Sequence, residues 1–429
     1  MQRRGRLFIT CDAAAVLLIV ILWVRAIGSL IALSITAEKV FVPIGADPIW
    51  PPAASAISKM FYLLAVLMCV GIIIFRINDV TRPGLWRLAV LLAPWLYIII
   101  RNLYSGSWPT PEGVLYVVVV LALAALRPRP RVLIAVGALV VLTAAVSIAF
   151  GVLTPDAGRA HLAEGVLSVR PDKAVFPSLG LLQGMFTQEN SLGVYLAVGI
   201  AAVALLPRWW LRFPGLVIVA FAIAWTSARN SMFAAVCSLL VGAGVWVIAE
   251  FGWRRTASAV ARFTTGALVV AMCVVPLTGW LSSGRWDDDA YTGRGVIWNG
   301  SLTHWISRAF LFGGGRDWYS RITKSDTTTL ISGAYSGHNQ FVQFVATGGA
   351  VLAFLAIGWF LIQAWVITAP SSRYLVIGAM TVTGIAVSGW LEVPLGFVDW
   401  STNWTVTIVP LAVLFLARRE EVHQESAGP

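Results

Sequence analysis

The chain has 429 residues, 58% of them hydrophobic and 12% charged, and a formal net charge of +11. A soluble domain carries roughly 25% charged residues, so this chain has too little charge to coat a water-facing surface. In a soluble protein the excess of Lys and Arg would point to nucleic acid. Here many of them fall in short segments between apolar runs and look like topology signals, so no nucleic-acid partner is expected.

The N-terminus carries Arg3, Arg4 and Arg6 ahead of an apolar run that continues through Leu33. No small-x-small cleavage site follows, so a retained first helix is expected rather than a removed signal peptide. A membrane helix needs about 20 apolar residues. Spans of this kind are predicted at 13–36, 60–76, 86–101, 113–126, 131–151, 190–206, 213–227, 230–250, 264–281, 339–366, 373–390 and 401–417. The predicted fold is an all-α integral membrane protein of about twelve helices, one polytopic domain over 1–429. The fourth and seventh spans are short and can also be read as broken or re-entrant segments.

Lys and Arg concentrate on the cytoplasmic side of membrane proteins. With the N-terminus inside, every inner segment holds an arginine: Arg76, Arg82 and Arg87, then Arg127, Arg129 and Arg131, Arg208 and Arg212, Arg254, Arg255 and Arg262, Arg373, and Arg418 and Arg419. The short outer loop 391–400 holds no basic residue. Both termini are therefore expected in the cytoplasm, with the polar tail 418–429. Segments 37–59, 152–189 and 282–337 are expected outside, the last as a long extracytoplasmic loop.

Of the 20 Trp residues, many lie near span ends, where an aromatic belt accounts for most and sugar stacking for one or two. Cys11, Cys69, Cys237 and Cys273 sit in or beside spans and form no CxxC or His/Cys cluster, so neither disulfide nor structural zinc is implied. Arg25 is the one ionisable residue deep in a span, with Asp12 and Glu250 at edges. An ion-coupled transporter needs acidic residues or His inside its spans, which lowers that reading. The polar groups gather at the outer span ends and loops, which points to chemistry at the outer face.

The richest stretch runs from Tyr291-Thr292-Gly293-Arg294 through Trp298 to Gly313-Gly314-Gly315, then Ser336-Gly337-His338-Asn339. Trp298, Leu302, Trp305 and Ala309 recur at helical spacing and predict an amphipathic helix lying in the outer interface. Thr292 is a candidate cap, which places Arg294 in the first turn beside backbone N–H groups that favour anions.

These residues resemble the O-antigen ligase and O-antigen polymerase family of membrane glycosyltransferases. The family pattern is a Gly-Arg-x-x-x-Trp-like segment, a Phe-Gly-x-Gly turn, and a His-Asn that opens a helix with a central Gly. The matches here are Gly293-Arg294 with Trp298, Phe312-Gly313-Gly314-Gly315, His338-Asn339 and Gly348-Gly349. Thr226-Ser227-Ala228-Arg229 resembles the family's Ser-Arg segment, with Ala228 inserted. Phe186-Thr187-Gln188-Glu189-Asn190 and Gly193 resemble its Phe-x-x-x-Asn-x-x-Gly segment, with Gln188-Glu189 where His-Pro is often found. The resemblance covers roughly 180–366; before that it rests on hydropathy.

The resemblance implies a GT-C-like enzyme of the bacterial cytoplasmic membrane with its active site on the outer face. Such an enzyme inverts the anomeric centre while moving a glycan from a polyprenyl diphosphate carrier to a hydroxyl of a glycolipid, glycan or protein. No metal or other cofactor is implied. Arg229 and Arg294 would neutralise the leaving diphosphate, and His338 would be the general base. Asn339, Asn190, Glu189 and Arg316 are weaker candidates for substrate binding, and Arg159, Arg170 and Lys173 for contacts to diphosphate. A ligase assignment is preferred slightly over a polymerase of the same family; a transporter or flippase of lipid-linked sugars is the rival from another class.

Plainer roles stand beside these. Arg229 can be a snorkelling arginine at a helix end, Arg294 a headgroup contact and His338 a helix-start residue bonded to a carbonyl. Glu189 and Asn190 can cap a helix. Arg316, Arg321 and Lys324 fit a solvated loop, His161 and His304 fit loop positions, and Asp287-Asp288-Asp289 fits a solvated charge run better than a cation site.

Overall fold

A computed structural model describes residues 2–36, 50–104, 106, 108–160, 173–283, 285–287, 290–319, 336–372, 374–396 and 402–417. Expectations placed on His161, Arg170, Asp288, Asp289, Arg321, Lys324, Arg373 and the tail 418–429 lie outside these residues. So do those on the side chains of Arg3, Arg4, Arg6 and Thr292.

The described chain is built of helices, with one isolated antiparallel bridge between Arg159 and Leu182. Eight helices are long and apolar enough to cross a membrane. They are α1 (Thr10–Ile35), α2 (Pro52–Phe75), α3 (Leu85–Tyr104) and, beyond the shorter α4 (Pro111–Leu126), α5 (Pro130–Leu153). After α6 (Glu189–Val203) come α7 (Trp209–Thr226), α8 (Arg229–Glu250) and α9 (Arg254–Ser282). A further helix, α10 (Ala290–Arg308), precedes the last long one, α11 (Gln340–Ile367). The chain then forms α12 (Leu375–Ser388) and α13 (Ile408–Leu416). The predicted spans 113–126, 190–206, 373–390 and 401–417 thus hold helices of 16, 15, 14 and 9 residues. Each is shorter than the roughly 20 residues of a bare crossing.

Burial explains why the short helices are so apolar. Every residue of α6 from Leu192 to Val203 is buried, as is every residue of α13 and of α12 from Gly378 onward. A helix that is apolar all round belongs inside a bundle. The long helices surround this centre and turn large apolar side chains outward, such as Leu63, Leu67 and Ile74 on α2 and Leu240 and Trp246 on α8. This is the architecture of a multi-pass membrane protein, with apolar faces suited to lipid. The buried Arg25 is paired within it. It lies in a π-helical turn, Val24–Gly28, donates to Glu112 at 2.8 Å and sits over the Tyr62 ring.

Helix α10 forms where periodicity predicts it, but its apolar stripe has a different use. Trp298 and Leu302 are fully buried, and α10 packs on α11. These two positions are core packing, and Trp298 also donates its indole N–H to the Gly337 carbonyl at 3.0 Å, while Trp305 and Ala309 are partly exposed.

The glycine runs singled out in the sequence meet one another. Gly349 breaks α11 with φ 68° and ψ −167°, a conformation reserved for glycine. The chain after α10 fills the break: Gly314 N–H donates to Ala346 O at 2.7 Å and Gly315 N–H to Thr347 O at 2.9 Å. In return Ala350 N–H donates to Phe310 O at 2.8 Å and Val351 N–H to Leu311 O at 3.2 Å. A Cβ on Gly349 would overlap the Leu311 carbonyl. From α3, Arg101 donates to the carbonyls of Phe312 and Gly313, and Tyr97 to that of Gly348. The end of α10 is thereby fastened to α11, so the residues at the start of α10 keep a fixed position against the start of α11.

Candidate functional site

Four helices begin at one cavity of about 490 Å³. Glu189 and Asn190 open α6, Arg229 to Ser231 open α8, Gly293 and Arg294 lie in the first turns of α10, and His338 precedes α11. All of these line the cavity, with Lys173, Tyr291 and Glu392. Helix N-termini present unpaired N–H groups and a partial positive charge. Arg229 and Arg294 both occupy such an end, and Arg294 is paired there with Glu392.

Backbone strain clusters here too. Among the described residues, four that are not glycine have positive φ, and three of them adjoin the cavity: Ser227 at 54°, Tyr291 at 51° and His338 at 44°. Ser227 and His338 turn the chain ahead of α8 and α11, and Tyr291 lies in the first turn of α10. Such conformations cost about 1–3 kcal/mol each and persist only where the surroundings hold them.

Glu392 organises the far wall. It lies in the turn after α12, with its side chain 15% exposed. One carboxylate oxygen accepts from Arg294 Nη2 at 2.7 Å; the other is 3.6 Å from His338 Nδ1. Burial opposes its charge, but the contacts with His338 and Arg294 outweigh burial and hold the carboxyl below its ordinary value of 4.5. It is a carboxylate throughout the neutral range. Arg294 is fixed a second time, by Nη1 donating to the Tyr291 carbonyl at 3.1 Å. Lys173 Nζ and Glu189 Oε1, which also line the cavity, pair at 2.7 Å.

The structure therefore brings Arg229, Arg294, His338, Glu189, Asn190 and Lys173 to one cavity and leaves three other expected residues, Asn339, Arg316 and Arg159, elsewhere. Asn339 is fully buried. Its side chain accepts from Val342 N–H, capping α11, and donates to the carbonyls of Met272 and Trp390. That uses its hydrogen-bonding capacity on structure, and it does not line the cavity. Arg316 is also absent from the lining; its Nε is 3.8 Å from Asp317. Arg159 stacks on Trp225 and donates to the Gly151 carbonyl. His304 stacks on Trp318, as a packing residue does.

Sequence reasoning did not single out Glu392 as a site residue. The available signal was an acidic residue within the apolar stretch Trp390 to Leu395, one turn past a span end. Two further contacts fix that turn: Asn230 donates to Ser388 O, and Leu395 N–H donates to Gln340 Oε1. Among the described residues no three His, Cys, Asp or Glu side chains group as ligands for a metal ion. In comparisons with known proteins, no family model matches the chain and no curated protein matches it significantly.

Proposed function

We propose that the chain is an inverting glycosyltransferase that moves a glycan from a polyprenyl diphosphate carrier to an acceptor hydroxyl. Its site would lie on the outer face of a bacterial cytoplasmic membrane, in a twelve-helix body with both termini inside. The observation that carries this reading is the meeting of Arg229, Arg294 and His338 in one cavity. The resemblance of their segments to O-antigen ligases and polymerases supplies the reaction class.

In this mechanism Arg229 and Arg294, with the starts of α6, α8 and α10 around them, hold the diphosphate. His338 takes the acceptor proton on Nε2, since Nδ1 faces Glu392. The acceptor oxygen attacks the anomeric carbon as its O–H bond breaks. The bond from that carbon to the phosphate oxygen breaks in turn, and its electron pair leaves with the lipid diphosphate. Attack opposite the leaving group inverts the anomeric centre. Glu392 keeps the imidazole oriented and stabilises the imidazolium that forms, the part a carboxylate plays beside a catalytic histidine. The guanidinium groups stabilise charge that grows in the transition state, which is the most productive use of a fixed cation.

A flippase of lipid-linked sugars would need charged groups along a path across the membrane. The cavity's charged groups are instead gathered in one place, with Glu189, Arg229 and Arg294 at helix starts. The ligase and polymerase readings differ only in the acceptor, and the ligase-like assignment is kept. Purified protein in liposomes, given a lipid-diphosphate glycan and separate glycolipid and lipid-linked acceptors, tests both. Transfer is expected to one acceptor class and to vanish in Arg294→Ala and His338→Ala. Full activity of either folded variant overturns the role assigned to that residue.

A further inference from the structure

We propose that the ring of Tyr291 is the platform on which the first sugar of the donor stacks. The proposal rests on the transfer reading above and names the part of the substrate that this wall of the cavity recognises.

Tyr291 lines the cavity beside Arg294, and its own carbonyl accepts from the Arg294 guanidinium at 3.1 Å. Ring and cation are therefore fixed relative to each other. Tyr291 is 43% exposed, so a substantial part of it is open. The remainder is held by two indoles, Trp286 at 5.4 Å and 73° and Trp298 at 5.1 Å and 43°. Both supports are themselves anchored. Trp298 is fully buried, and Trp286 donates its indole N–H to the Pro276 carbonyl at 2.8 Å.

Two costs accompany this placement. An aromatic ring is left partly open at a site where burial would stabilise it, and a non-glycine residue is held at φ 51°. A tyrosine of an interfacial aromatic belt needs neither a left-handed backbone nor a fixed ring. A binding platform needs both a set position and an open face.

The face of an aromatic ring is the negative pole of its quadrupole. The C–H bonds of a pyranose carry weak positive charge on its two faces, so sugar and ring attract. In a lipid-diphosphate donor the first sugar is one oxygen away from the phosphate. With the diphosphate on Arg294, that sugar falls on the nearest open aromatic surface, which is Tyr291. Stacking reads the ring and tolerates changes in hydroxyl pattern.

The test measures binding to the full-length protein in liposomes with two probes, bare polyprenyl diphosphate and the same carrier bearing one glucose. The wild type and Tyr291→Phe are expected to bind the glucosylated carrier roughly tenfold more tightly than the bare one. Tyr291→Gly, which accepts the left-handed backbone, is expected to lose that preference while its affinity for the bare carrier is unchanged. Tyr291→Leu, with bulk but no π face, answers the same question should the glycine variant fail to fold. A preference that survives loss of the ring, or a variant that weakens both probes equally, overturns the proposal. A preference that tracks the ring in a protein that transfers no sugar sustains the platform and overturns the transfer reading.

Discussion

Arg294 and Glu392, 98 positions apart in the chain, form a 2.7 Å ion pair on the wall of the cavity, and the second carboxylate oxygen of Glu392 faces His338. One carboxylate thus sets the position of a cation and of a candidate base. Removing it should disturb both, whereas removing either partner should leave the other in place.

Glu392→Gln keeps the shape of the side chain and removes its charge. Transfer is expected to fall by at least about 100-fold, measured as initial rate in liposomes. The pH dependence of stability should change as well. A carboxyl held below 4.5 in the fold contributes stability that is fully present above its unfolded value. That contribution is lost as pH falls through the folded value. The wild type should therefore melt higher than Glu392→Gln at pH 7, with the difference closing below pH 4.5; a gap unchanged down to pH 3 would contradict this.

Arg294→Lys retains one positive charge but not the planar fork that reaches both Glu392 and the Tyr291 carbonyl. Transfer is expected to drop roughly 100- to 1,000-fold, the size of effect seen when one transition-state donor is lost. Recovery of full rate in the lysine variant would mean that charge alone suffices.

His338 can be probed separately for chemistry and for backbone. Asparagine accepts the left-handed conformation at φ 44° but cannot take a proton at neutral pH. His338→Asn should therefore lose transfer and melt higher than His338→Ala, whose Cβ keeps the left-handed strain that histidine already bears, by the equivalent of up to about 1 kcal/mol. Equal melting temperatures for the two variants would remove the strain argument.

Arg229, Arg294 and His338 each follow a break in an apolar run, and such breaks on one side of a bundle lie near one another, so the three line one cavity. Asn339 lies outside that lining; a cap and a ligand look alike as letters, and only burial and three used hydrogen bonds separate them. Glu392 was missed because its partners are distant in the chain and its neighbours are apolar. The stripe of α10 was legible as a stripe, but hydrophobic spacing does not say whether lipid or protein covers it. The short central helices were legible as apolar runs, while their burial by neighbours was not.

The glycine contact makes a sharp contrast within one helix. Gly349→Ala must adopt a left-handed backbone and push aside the Leu311 carbonyl, at an expected loss of at least about 2 kcal/mol. Gly358→Ala, where an added Cβ meets no heavy atom within 4 Å, should instead stabilise by up to about 1 kcal/mol. Thermal unfolding of the two variants in detergent checks both signs.

That contact also stands far from the cavity. Between Arg294 and Arg308 helix α10 rises by about 20 Å, so the break in α11 holds one end of a stiff lever whose other end carries the guanidinium. A small displacement at the anchored end would swing the tip across the cavity. Substitutions around Gly313 and Gly349 should therefore behave as remote controls of turnover, altering the rate without touching any substrate. Whatever loosens the anchor should slow the proposed transfer before it unfolds the chain.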